Sequence, residues 1–403
     1  MQWRIFEPAH LLGATRVSLA QGGRFLLSRI APNGPILREP NLSYIHKAAW
    51  GMYAAGVDHD TIARLLDWAG EHALRDSGDF YCPGEPPEYK DFQRVYRPLT
   101  FGKVAAWIGH PLIREPKVLD RILQYQHKPS GGTFHTIGDD PAQVEEQEAI
   151  GTLNTSFFGH LMVALDMREQ ALAAGEWLRR WVEANHPHMA EGRLYTQMSP
   201  QGQLLTDIPL GQRISSLVDT QRPRQEFWNT GTAMAYLAVL ADTLRTRWDT
   251  AEEKARPYLD AALALLDFES TMPLDTYLWP SKCKVAWGAG EVLRVLVRHA
   301  PDAAEAIEKA YRVAERATAF TFLDSQLASG GWPPMHYPLT DETPELALTY
   351  KPLKGLVWAP DTRIEGSQTI YLPAEEITGE FLGEMKSVEQ GVGAWLAAAR
   401  RDN

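Results

Sequence analysis

Glu226 stands between Gln225 and the aromatic run Phe227-Trp228, with Asn229 next. Apolar neighbours disfavour a carboxylate's charged form, which raises its pKa towards that of a general acid. In the first turn of a helix, the same glutamate also offsets the macrodipole without any further role; both readings stay open. Tyr44, His46 and Lys47 form a second set. Tyr44 and Lys47 are three apart and share a helix face, so a tyrosine beside a cation is available for acid–base work; a solvated helix start is the alternative. Asn154, Ser156 and His160 form a third. Ser156 and His160 are four apart and can touch. No acid is spaced to orient the imidazole and no Gly-x-Ser-x-Gly elbow exists, so a serine hydrolase is not expected and His160 also reads as a core histidine. His135 with the candidate catalytic pair Asp139 and Asp140 could hold a metal, but the set reads better as a polar loop capping a helix that starts near Pro141. Trp332, His336 and Tyr337 sit together after a glycine turn, and Lys282 and Lys284 flank Cys283 where they can meet an anion. Trp50, Phe134 and Trp279 complete the aromatic candidates for substrate contact.

These residues need elements to hold them. Apolar residues at helical spacing predict helices over 14–30, 43–55, 61–76, 99–108, 116–126, 148–166, 168–185, 226–243, 250–268, 282–298, 302–326 and 374–398. Asn33-Gly34-Pro35, Gly56 and Ser77-Gly78-Asp79-Phe80 are stops. Pro98 sits in the first turn of the 99–108 helix. His186-Pro187-His188 reads as a surface turn, and the segment 194–208, with Ser199-Pro200-Gln201-Gly202 at its centre, as an inserted β-hairpin. The proline-interrupted stretch 333–373 is expected to be a loop or lid.

Glycine-aromatic turns end at Phe80, Phe134, Tyr195, Trp279 and Trp332, at intervals of roughly 54 to 85 residues, the range of a helix-pair repeat. In each pair one helix is rich in small residues (Gly159, Ala233, Ala235, Gly288, Ala289) and its partner is more charged. The first suits a crowded inner ring and the second an outer ring. The first and last helices lack partners, and pairing them closes the ring. The expectation is an all-α, closed (α/α)6 toroid forming one domain over 1–403.

With 44% hydrophobic residues the chain has material for a large core. A net charge of −11 with no basic stripe argues against nucleic acid. Cys82 and Cys283 are the only cysteines, too few for a disulfide scaffold or thiolate zinc site. No basic leader and no span of ~20 apolar residues is present, so a cytoplasmic protein with a small-molecule substrate and without a membrane span is expected. No metal or cofactor is expected.

Gln326 followed by Gly330-Gly331-Trp332, and Gln126 followed by Gly131-Gly132-Thr133-Phe134, resemble the QW repeat of the terpenoid cyclase and protein prenyltransferase α/α-toroid family. The resemblance implies a toroid with a central pocket. Two features depart from it. Where that family protonates an alkene with Asp-x-Asp-Asp, this chain has Gly138-Asp139-Asp140, and Cys283 lacks the companions of the family's zinc site. The same toroid occurs in six-hairpin glycosidases, lyases and sugar epimerases. Three functions follow: a cyclase, isomerase or lyase working on a mostly apolar molecule; a carbohydrate-active enzyme using Glu226 with Asp139, Asp140 or Glu148; and a non-catalytic helical scaffold.

Overall fold

A computed structural model describes residues 5–31, 34, 42–81, 92–134, 149–208, 216–222, 225, 227–333, 362–365, 368–371 and 375–401, without the side chains of 42–45, 92–93 and 362–371. Among these, twelve α-helices carry the architecture: α1 (Pro8–Ser28), α2 (Leu42–Ala54), α3 (His59–His72), α4 (Phe92–Ile108), α5 (Pro116–Gln124), α6 (Thr152–Leu165), α7 (Arg168–Ala190), α8 (Trp228–Thr246), α9 (Glu252–Ser270), α10 (Cys283–His299), α11 (Ala304–Ala317) and α12 (Glu375–Ala399). None is long and apolar enough to cross a membrane.

The even-numbered helices form a closed inner ring. α2 packs on α4, α4 on α6, α6 on α8, α8 on α10, α10 on α12, and α12 returns to α2. In α6 every residue from Thr152 to Met162 is buried, as a helix enclosed on all sides requires. The odd-numbered helices lie outside and bury one stripe only, as α3 does with Ile62, Leu65, Leu66 and Ala69. Small residues let the inner backbones approach: a Cβ on Gly51 would lie 2.5 Å from the Gly379 Cα. The fold is therefore the all-α toroid the sequence implies, with α1 packed against α12 at the seam.

The glycine-aromatic turns are the docking points between hairpins. Gly78, Gly131 and Gly330 all adopt positive φ, at 86°, 84° and 91°. An added Cβ would stand 2.2 Å from the Lys117 carbonyl oxygen in α5, 2.4 Å from that of Ala173 in α7 and 2.5 Å from that of Gln21 in α1. Each turn thus presses on the outer helix of the next hairpin. The glutamines tie the same joints: Gln126 Nε2 donates to the Gly131 and Gln170 carbonyls (2.7 and 3.1 Å), and Gln326 Nε2 to those of Gly330 and Ser18 (2.8 and 3.1 Å). The last joint engages α1 and closes the ring. Glu315 of α11 supports it by accepting from the Ile5 and Phe6 amides.

Four local expectations change. α4 begins at Phe92 and carries Pro98 within it, because losing one amide donor is tolerable in a helix packed on both sides. α7 continues through Pro187 to Ala190, so His186 and His188 are helical. The 194–208 segment forms only a tight turn with one Met198–Leu204 bridge. Its strands, β2 (Arg193–Tyr195) and β3 (Gln197–Met198), pair instead with β4 (Leu217–Asp219) and β1 (Ile150–Gly151) respectively. Within the expected loop 333–373, β5 (Thr362–Glu365) and β6 (Gln368–Tyr371) pair antiparallel; the rest of it after Pro333 lies outside the described residues.

Gly330→Ala and Gly109→Ala separate docking from simple turn strain. Both glycines have positive φ, which costs an alanine of order ~1 kcal/mol. Only Gly330 adds a backbone clash, since nothing lies within 4 Å of a Cβ on Gly109. Thermal unfolding is expected to show a clearly larger fall in Tm for Gly330→Ala; equal shifts would show that the turn does not hold the ring shut.

Candidate functional site

The ring axis is charged. Glu376, Glu380 and Glu384 recur every four residues along α12 and so share one face. Lys47 Nζ of α2 lies 2.8 Å from Glu376 and 2.7 Å from Glu380. Lys284 Nζ of α10 hydrogen-bonds Glu380 and lies 3.0 Å from Glu384. Apart from Glu376, these side chains are almost fully buried. Burial opposes the charge on Lys47, but the Glu376 carboxylate and its neighbours outweigh that and hold its pKa above the usual lysine range. Burial pushes the Tyr96 hydroxyl and the Cys283 thiol upward, so both stay protonated at neutral pH. Cys283 Sγ and oxygens of Glu380 and Glu384 lie within 4.8 Å of one another, a donor set that could hold a metal. The lysine ammoniums already bonded to both carboxylates would repel one.

Next to this network is a cavity of about 220 Å³. Trp50, Trp107 and Trp287 wall it, with Lys103, His160 and Glu291 as polar groups. Tyr53 and Trp107, at 36% and 40% exposure, mark its opening at the C-terminal ends of α2 and α4. The sequence places the mouth at the opposite end, among the long connections leading into the inner helices. Much of those connections lies outside the described residues.

Lys103 is 1% exposed. Its Nζ stands 3.7 Å from the Trp50 ring centre, 4.9 Å from that of Trp287 and 5.2 Å from that of Phe157. It has no hydrogen-bond partner among the described residues. Burial lowers its pKa from 10.5 to about 7, against the opposing pull of Glu384 and Glu291. His160 stacks on Trp287 with ring centres 4.8 Å apart, and its Nε2 is likewise without a hydrogen bond. Burial, with the charge of Lys103, holds its pKa well below the usual value, so it is a neutral imidazole. Glu291 is bound by Ser387 at 2.6 Å and Arg294 at 3.0 Å. A neutral imidazole and an amine that titrates near neutrality, set among aromatic planes, can accept protons and attack electrophiles.

Of the residues singled out in the sequence, Trp50 and His160 line this cavity. Ser156 does not join His160, because its hydroxyl donates back to the Thr152 carbonyl at 2.7 Å. His46 is buried edge-on to Tyr96, and the Tyr44 side chain is outside the described residues. Asn154 donates to the Phe134 carbonyl, and Asn229 accepts from Thr152, so both brace the starts of inner helices. Trp228 is half-buried beside Asn229. Trp279 is buried. Lys282, expected to meet an anion, is fully buried against Glu269 at 2.5 Å. Trp332 is also fully buried, donating to the Phe322 carbonyl, and is not among the residues lining this cavity: it is a packing peg at the ring seam. Glu226, Asp139, Asp140, His336 and Tyr337 lie outside the described residues.

Sequence reasoning missed Lys103, Glu291, Trp107, Trp287 and the α12 glutamates. Two signals were present. Lys103 is the one Asp, Glu, Lys or Arg between Pro98 and Ile113, and Glu376, Glu380 and Glu384 keep helical register through a stretch, 376–385, that holds no other charge.

The depressed pKa of Lys103 makes a signed prediction. Between pH 10.5 and about 7 the unfolded chain holds a proton here that the folded chain lacks, so this residue's contribution to stability falls as pH falls through that window. Below about 7 the penalty is full. Lys103→Met should therefore raise Tm relative to wild type by an amount that grows from pH 10 to pH 7 and then levels; a gap independent of pH would mean that Lys103 titrates normally.

No protein-family model matches the chain, and no curated protein matches it in sequence. Solved structures are similar in fold. D-mannose isomerase has a TM-score of 0.51 at 11% identity, covering 100% of both chains. The GH76A alpha-1,6-mannanase from Salegentibacter sp. HEL1_6 has 0.50 at 12%, covering 93% of this chain and 99% of that one. An unsaturated glucuronyl hydrolase specific for heparin has 0.50 at 12%, covering 94% and 96%. At such identities the likeness is one of architecture, and it places the chain among α/α toroids.

Proposed function

We propose that the chain is a carbohydrate-active enzyme that isomerises or epimerises a monosaccharide-sized substrate by proton transfer beside its carbonyl group. The observation that carries this reading is the pairing of His160 and Lys103 in one small aromatic-walled cavity on the ring axis. Tryptophan planes suit the C–H face of a sugar, while Glu291, Lys103 and Ser387 suit its hydroxyls. The cavity, at about 220 Å³, is below the ~300–1,000 Å³ of ordinary ligand pockets, which favours one ring over a chain. His160 is the general base: neutral, buried, and with Nε2 unengaged. The likeness to D-mannose isomerase along the whole chain supports the same reading at the level of fold.

Two other readings are less well supported. An apolar, terpenoid-like substrate would need the aromatic cage to itself, and the cage already encloses the Lys103 amine beside a charged axis. Glycoside hydrolysis needs a protonated acid and a second carboxyl group ~5–9.5 Å away. Among the described residues, the one carboxylate lining the cavity, Glu291, is bound by Arg294 and Ser387.

Incubating the protein with a panel of aldoses and ketoses in D₂O tests the proposal. Deuterium is expected at the carbon beside the carbonyl, together with the isomerised sugar. His160→Gln should reduce kcat by ~10²–10⁴-fold with little change in KM. If no sugar exchanges and an apolar substrate turns over instead, the proposal fails.

A further inference from the structure

Four lysines are buried among the described residues: Lys47, Lys103, Lys282 and Lys284. Three are held by glutamates: Lys47 by Glu376 and Glu380, Lys282 by Glu269, and Lys284 by Glu380 and Glu384. Lys103 alone has neither a carboxylate nor any other hydrogen-bond partner at Nζ among those residues, and it alone lines the cavity. A lysine held only by ring faces keeps its place without an acceptor that would lock its proton on. That is the condition for a nucleophilic amine.

We propose that Lys103 is a covalent catalyst, its amine capturing the open-chain carbonyl of the substrate as an imine inside the cavity. This deepens the proposed function and rests on its placing of the substrate there. The Nζ lone pair forms the new N–C bond as the carbonyl π pair moves to oxygen, which takes up a proton. Loss of that oxygen as water leaves a protonated imine. Its positive charge acidifies the adjacent C–H, whose proton passes to His160 Nε2. Return of a proton from solvent to the other face of that same carbon gives the epimeric imine, and addition of water to its C=N bond releases the epimerised aldose and the free amine. Protonation at the imine carbon instead would leave a secondary amine that water does not cleave, so the imine route serves epimerisation, and no oxidant or reductant is consumed. Trp50, Trp287 and Phe157 surround the cationic imine as they surround the ammonium. The charges acting on Nζ are Glu384 from α12 and Glu291 and Lys284 from α10; burial, helped by Lys284, lowers the amine to about 7 against the opposing pull of the two glutamates.

Reductive trapping tests this on the full chain. The protein is incubated separately with D-mannose and with glyceraldehyde in the presence of sodium cyanoborohydride, and adducts are located by intact-mass analysis and peptide mapping. One adduct per chain is expected, on the peptide carrying Lys103, with loss of that adduct in Lys103→Arg and Lys103→Met. Lys103→Arg keeps a cation among the rings but cannot form the imine, so its epimerase activity should be lost while its circular dichroism stays that of wild type. Adducts spread over exposed lysines with Lys103 unmodified would overturn the proposal. So would full activity in Lys103→Arg, which would leave the proposed function standing. A Lys103 adduct with no sugar epimerised or isomerised would support capture and remove the proposed function instead.

Discussion

The ion network that joins Lys47, Glu376, Glu380, Lys284 and Glu384 is the constraint around which the rest of the molecule is arranged. Charges taken out of water cost several kcal/mol each unless they find partners of opposite sign in good geometry. The partners come from three helices, α2, α10 and α12, that are far apart in the chain. They meet only because the inner ring closes. A gap in the ring would leave buried ammoniums and carboxylates uncompensated, so the polar axis and the closed toroid depend on each other.

Closure is mechanical as well as electrostatic. The turns at Gly78, Gly131 and Gly330 repeat one device: a left-handed glycine pressed on the carbonyl of the following outer helix. In the second and third, a glutamine side chain spans the joint. The third lands on α1 rather than on a later helix, which turns an open array into a ring. Trp332 belongs to that joint and to the core, so the most conspicuous motif in the sequence serves the scaffold, one step removed from the cavity.

Within the ring, the axis divides into two regions with different chemistry. Around Glu380 the lysines and glutamates pair with one another. Around Lys103 the same burial acts on groups without partners, and it depresses the amine and the imidazole together. Reactive groups arise where burial is left uncompensated. Tryptophan walls enclose both groups without neutralising either.

The helix count, the inner and outer alternation and the closing role of α1 were legible in the sequence, because small residues, helical spacing and glycine stops are local properties. Trp50 and His160 were legible as candidates for the same reason: unusual side chains on buried-looking helices. The interior of the site was not. Lys103 looked like one cation in FGKVAAW, and Glu380 like one acid among several; neither shows its partners in its own neighbourhood. Whether a buried lysine meets a glutamate or a ring face depends on residues of other helices, 96 positions away for Lys284 and Glu380 and 333 for Lys47 and Glu380, brought together by the closing of the ring. Sequence by itself determined which helices would turn inward, since that follows from side-chain size and polarity. Only the tertiary structure decided which inward charges were neutralised and which were left reactive, since pKa depends on distances across the axis that no local pattern encodes.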